Sequence, residues 1–224
     1  KAALLALLAY CIWALSTMGV NSDRLANGWN AASKFVGMMF PPQMNKMDEL
    51  WQGLKETMQI AVLATTVGIL LSLPVGLMSA SNMSPAPLRA FGRALIAVCR
   101  ALHPVISAIL FVKAVGFGPL AGILALVVAT VGFVGKLFAD AIEEISPKPI
   151  EAIRATGASF MNVVLFGVLP QVISRFVGFS TYQLDSNLRN STMVGIVGAG
   201  GIGGVLFPAF LRSAYYPVST ILPA

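Results

Sequence analysis

The chain has 224 residues, of which 57% are apolar and only 11% charged, and its formal net charge is +6. Soluble domains carry about 25% charged residues, so this composition excludes an ordinary soluble protein and predicts an all-α polytopic membrane protein, long enough for several spans of about 20 residues each. The basic residues are scattered rather than gathered into a patch, which argues against a nucleic-acid partner.

The first apolar run is Ala2 to Val20. No charged n-region precedes it and no cleavage site follows, so it reads as a transmembrane helix (1–20) rather than a signal peptide. It begins abruptly at Lys1, and we expect natural sequence ahead of it. Residues 21–50 read as a polar external loop, because the charges of Asp23, Arg24, Lys34, Lys46, Asp48 and Glu49 cancel. Within it Phe35 to Phe40, stopped by Pro41-Pro42, reads as an interfacial segment.

The core of the domain is expected over 56–224. Glu56 to Ala80 is the second span, with Pro74 inside it and a small face at Thr65, Thr66 and Gly68 suited to helix packing. Ser81 to Arg93 is a short loop with Arg89 and Arg93 and no acid, followed by Arg100. This positive bias places the loop in the cytoplasm and residues 21–50 outside. Leu95 to Val115 is the third span. Arg100 and His103, the only histidine, lie in its inner part; either they snorkel to the interface or they line a polar path. Leu120 to Ala139 is the fourth span. Cys11 and Cys99 both fall in apolar segments and read as buried membrane cysteines, and no metal-ligand spacing exists.

By this alternation the next stretch, Glu151 to Pro170, lies in the cytoplasm. It is a polar, small-residue island. A short helix is predicted at 147–157, with Pro147 and Pro149 before or in its first turn, Glu151 near the positive end of its dipole and a stop at Gly157. Ile150, Ile153 and Gly157 share one face, while Ala152 and Ala155 leave the surface low for a partner. Val163 to Gln183 is the fifth span, kinked near Pro170, with Arg175 inside it. Asp185 and Arg189 follow at helical spacing, as a structural pair at the outer interface or as part of a pathway.

Gly195 to Gly204 is glycine-rich, and Gly198 to Gly203 matches a G-x-G-x-x-G pattern. No soluble strand and helix surround it, so a dinucleotide site is not supported. In a membrane setting such glycines permit close backbone approach or an irregular turn. Tyr215 to Ala224 begins another apolar stretch, which we expect to continue as a truncated sixth helix. No Ser/His/Asp set, paired carboxylates or Walker A loop is present. The chain is not expected to be an enzyme by itself or to hold a cofactor.

The spacing of Glu151, Ala152, Gly157, Leu169 and Pro170 resembles the coupling signature of bacterial ABC importer permeases, E-A-A, three residues, G, nine residues, I-x-L-P. Ile153 replaces the second alanine and Gly167 the isoleucine. ETMQIAVLATTVGILLSLPVGLMSA and NLRNSTMVGIVGAGGIG are similar to the phosphonate-type permeases, with methionine permeases as nearer cousins than most. The resemblance covers Phe40 to the end. It implies a type I importer domain of about six helices in the bacterial plasma membrane. It also implies a homodimer, two cytoplasmic ATPase subunits that bind ATP and Mg²⁺, and an external substrate-binding protein.

On this resemblance Glu151, Ala152, Ala155, Gly157, Leu169 and Pro170 carry ATPase coupling. Gly195, Gly198, Gly200, Gly201 and Gly203 shape a gate near the outer end of the pathway and the dimer axis. Asp185, Arg189 and Arg175 are pathway residues or a structural pair. The implied cargo is a phosphonate or a related oxyanion such as phosphite. The alternatives are a permease for another solute such as methionine, a polytopic membrane enzyme, which would need a clustered polar site at one depth, and a non-transporting scaffold.

Overall fold

The computed structural model describes residues 2–17, 22–38 and 47–211. It divides into two compact units, Lys1–Lys46 with Ala209–Ala224, and Met47–Pro208. In the first, α1 (Ala2–Thr17) is apolar all round, with Leu4, Leu8, Ile12 and Trp13 exposed as a lipid-facing helix would have them. At 16 residues it is shorter than a full span. Helix α2 (Ser22–Met38) corrects the expectation of a loop over 21–50. Phe35 lies in this helix, while Met39 to Pro42 fall outside the described residues.

The second unit is built on α3 (Met47–Ser79) and α6 (Pro119–Glu143), its most extensively packed pair. Helix α3 starts nine residues before the expected Glu56. It buries Gly53, Thr57, Ala61, Ala64, Gly68, Ser72 and Gly76, a stripe of small residues recurring every three or four positions. Small side chains let membrane helices approach closely where lipid supplies no hydrophobic drive between them. A β-carbon built at Gly68 would lie 2.5 Å from Thr130 Cβ, and one at Gly76 would lie 2.6 Å from Phe138 Cδ1. The contact advances eight residues on each helix, so α3 and α6 run parallel.

The return between them is not the single third span expected over Leu95 to Val115. It is a broken pair, α4 (Ala86–Ala101) and α5 (Pro104–Val115), bent by 92°. Pro104 pushes His103 out of the helical region, at φ −67° and ψ 141°. His103 then caps α5, its Nδ1 accepting from the Val105 amide at 3.3 Å. Arg89 and Arg93 therefore sit on a helix rather than in a loop.

After α6 comes α7 (Pro147–Ala155). A short α8 (Phe160–Asn162) then widens into a π turn, Val163–Val168, and continues as α9 (Leu169–Ile196). In the π turn the Leu169 amide donates to Val164 carbonyl, five residues back, just before Pro170, which has no amide to give. The fifth span is thus longer than expected, running from Phe160 to Ile196. Helix α10 (Ile202–Leu211) follows the glycine segment and was not predicted. Tyr215 to Ala224 lies outside the described residues. Among the described residues, three helices have the length and composition to cross a membrane, or four if the bent pair counts as one.

Candidate functional site

The island after α6 is a helix seated on one side and open on the other. Pro147 and Pro149 occupy the first turn of α7, where missing amides cost little. At the far end the Gly157 amide donates to Arg154 carbonyl at 3.0 Å, and Gly157 takes φ +74°, a left-handed stop that glycine adopts without a side-chain penalty. Ile150 is 6% exposed and joins a core with Phe138, Ile142, Val163, Val168 and Val172. Ile153 packs beside it, and both meet the π turn at Gly167, where a β-carbon would stand 3.3 Å from Ile153 Cδ1 and 3.5 Å from Ile150 Cγ1. Glu151, Ala152, Arg154, Ala155 and Gly157 are exposed. Leu169 and Pro170 are not on α7; they open the helix that the π turn feeds.

Polar bonds tie this end to the rest of the unit. Glu143 Oε1 accepts from the Ser81 amide and from Arg93 Nη2, both at 2.7 Å. Asn82 Nδ2 donates to Ile142 carbonyl at 2.7 Å, fastening the loop after α3 to the end of α6. Arg175 pairs with Glu144 at 2.5 Å, linking α9 to the residues that lead into α7. Arg175 therefore belongs to the island's end and is not brought together with Asp185 and Arg189. These ties span up to 62 residues of sequence, and no local pattern signals them.

A second feature lies mid-span. Asn187 Nδ2 donates to the hydroxyls of Thr65 and Thr130, both at 2.9 Å. Gln183 Nε2 donates to Thr130 Oγ1 at 3.1 Å and to Asn187 Oδ1 at 3.0 Å. All four side chains are buried, and they join α3, α6 and α9. Sequence reasoning found Thr65 as part of a packing face but missed Thr130, Gln183 and Asn187. The spacing of Gln183 and Asn187, with Ser191 next on the same face, was the available signal.

Asp185 and Arg189 form an ion pair at 2.7 Å on another face of α9, at the level of Asn187. Their side chains are 60% and 67% exposed. The structure thus brings these two residues together as an exposed pair on α9.

The glycine segment closes the opposite end. Gly198, Gly200 and Gly201 all take positive φ and turn the chain from α9 into α10. The Gly201 amide donates to Glu56 Oε2 and the Ile202 amide to Thr57 Oγ1, both at 2.8 Å, so α3 caps the start of α10. The Gly118 amide donates to Gly198 carbonyl at 3.0 Å. β-Carbons at Gly195 and Gly203 would strike Gly200 carbonyl at 2.3 Å and Thr192 carbonyl at 2.0 Å, so the α9–α10 hairpin closes only with glycine at both positions.

Residues 72–222 match a family described as binding-protein-dependent transport system inner membrane component. The chain is 40% identical over 215 residues to the phosphate-import permease protein PhnE of Mycolicibacterium smegmatis, covering 95% of this chain and 40% of that one. It is 39% identical over 205 residues to the phosphite transport system permease protein PtxC of Stutzerimonas stutzeri, covering 91% and 74%. The chain thus spans less than half the length of the mycobacterial relative and about three quarters of the other. Among solved structures, the MetNI methionine ABC transporter in inward-facing conformations has a chain that superposes with a TM-score of 0.69 at 26% identity, covering 80% of this chain and 90% of that one.

Proposed function

This chain belongs to the binding-protein-dependent transport system inner membrane components, and from that premise we propose that it is the permease subunit of an ATP-driven importer for a phosphorus oxyanion, phosphonate or phosphite. The observation that carries the reading is α7: a short helix anchored through Ile150 and Ile153 on the π turn, with Glu151, Ala152, Arg154 and Ala155 left open at the end of the fold. The positive bias of Arg89 and Arg93 puts that end in the cytoplasm.

Two cytoplasmic ATPase subunits dock on two copies of this chain and bind the ATP and Mg²⁺; an external binding protein delivers cargo. Closure of the ATPases pushes α7. Its isoleucines press on Gly167, and the π turn passes the displacement into α9, whose far end is the glycine hairpin. Gly195, Gly198, Gly200, Gly201 and Gly203 form the outer gate, stapled by Glu56 and Thr57. An exposed ion pair at mid-span depth needs water or a partner beside it, so Asp185 and Arg189 line the path between gate and cytoplasm.

The cargo class follows relatives named for phosphite transport at 39% identity and phosphate import at 40%, and a phosphonate permease of Escherichia coli at 50% over 86 residues. A methionine cargo is the second reading, favoured by the 0.69 TM-score to the methionine transporter but at 26% identity. ATP-driven uptake of labelled methylphosphonate, phosphite and methionine in vesicles holding permease, ATPase and binding protein separates them. Uptake of a phosphorus oxyanion is expected; uptake of methionine alone would discard the cargo and keep the mechanism.

A further inference from the structure

A cavity of about 700 Å³ opens between the end of α3, helix α4 and the second half of α6. Arg93, Arg100, Lys136, Asp140 and Glu143 all line it, three cations against two carboxylates. Four of these charges are committed in pairs: Arg93 with Glu143 at 2.7 Å, and Lys136 with Asp140 one helical turn apart. Arg100 has no carboxylate and no hydrogen bond among the described residues.

Its position makes that unusual. Gly132 of α6 lies beneath the Arg100 stem, and a β-carbon there would stand 2.9 Å from Arg100 Cγ. Gly132 is two residues from Thr130, whose hydroxyl belongs to the mid-span polar cluster. The cavity therefore runs along α6 from Glu143, at the island's end, to Lys136, about 10 Å by helical rise, and Arg100 lines its deeper end with its stem over Gly132. An uncompensated cation at that depth is costly unless water or an anion faces it. A guanidinium offers a planar fork of donors that suits phosphate-type oxygens, and the flanking ion pairs keep the walls polar.

We propose that this cavity is a cytoplasmic-side binding site for a phosphate-type oxyanion, with Arg100 as its deep ligand and Arg93 and Lys136 steering from the mouth. The chemistry is shared by two sources, a free phosphorus oxyanion leaving toward the cytoplasm and the phosphate of an anionic phospholipid headgroup. The inference rests on side-chain placement and not on the cargo assigned above, so it is tested without turnover.

The test uses the assembled permease–ATPase complex in detergent, without nucleotide or binding protein. Binding of labelled methylphosphonate and of inorganic phosphate is measured, together with the phosphatidylglycerol that co-purifies. Arg100→Gln keeps the stem over Gly132 and so keeps the packing, and Lys113→Gln, on α5 and outside the cavity, is the control. The expected result is at least tenfold weaker oxyanion binding in Arg100→Gln alone, which assigns the free anion. Loss of phosphatidylglycerol with unchanged oxyanion binding assigns the headgroup instead. No change in either, or the same change in Lys113→Gln, overturns the site.

Discussion

Ile153 and Gly167 face each other across the joint between α7 and the π turn, with 3.3 Å between Ile153 Cδ1 and the place a β-carbon would take at Gly167. These are the two positions at which the chain departs from the coupling signature, which carries a small residue at the first and isoleucine at the second. The volume has moved from one side of a single contact to the other. We read the two departures as one compensated change across this contact.

Gly167→Ile alone is expected to overpack the joint and cost about 1–3 kcal/mol. Ile153→Ala alone removes a half-buried side chain and costs about 0.5–3 kcal/mol. The double variant should recover most of both losses. Thermal unfolding of the purified complex as a double-mutant cycle reads this coupling directly; strictly additive effects would show that the two residues do not share a contact.

Asn187→Leu should destabilise the bundle by about 1–3 kcal/mol, because it leaves Gln183, Thr65 and Thr130 without their shared partner inside the core. Asn190→Leu, three positions on and not part of that network, should cost less. Unfolding midpoints in detergent check the order; equal losses would mean the buried amide contributes no more than its neighbour.

Gly201→Ala places a side chain at φ +78° with its β-carbon 2.8 Å from Thr57 Oγ1. The backbone strain alone is about 1–3 kcal/mol, and the clash displaces the hydroxyl that caps Ile202. Uptake should fall while α7 and its ATPase contacts stay intact, so ATPase subunits still co-purify. Unimpaired uptake would remove the gate assignment from this loop.

Much of this was legible in the residues. Hydropathy marked α3, α6 and the helix through α9, and the arginines after the second span gave an orientation independent of the island. Pro147, Pro149 and Gly157 bounded α7 to within two residues. The break between α4 and α5 was also written in the chain, as Pro104, but a long apolar window hid it. Residues 22–38 fold as a helix although their cancelling charges read as a loop, because charge balance speaks to membrane side and not to backbone state. The ties of Glu143 to Ser81 and Arg93, and of Arg175 to Glu144, are set by tertiary packing across 31 to 62 residues, so no sequence period could reveal them.

The most direct measurement is the ratio of solute imported to ATP hydrolysed by the complete transporter with Glu151→Lys. Glu151 is exposed on α7 and has no hydrogen bond or ion pair among the described residues, so the complex should assemble and hydrolyse ATP. The account predicts that uptake collapses at least tenfold while hydrolysis persists. Normal ATP-driven uptake by this variant would contradict the assignment of α7 as the coupling joint.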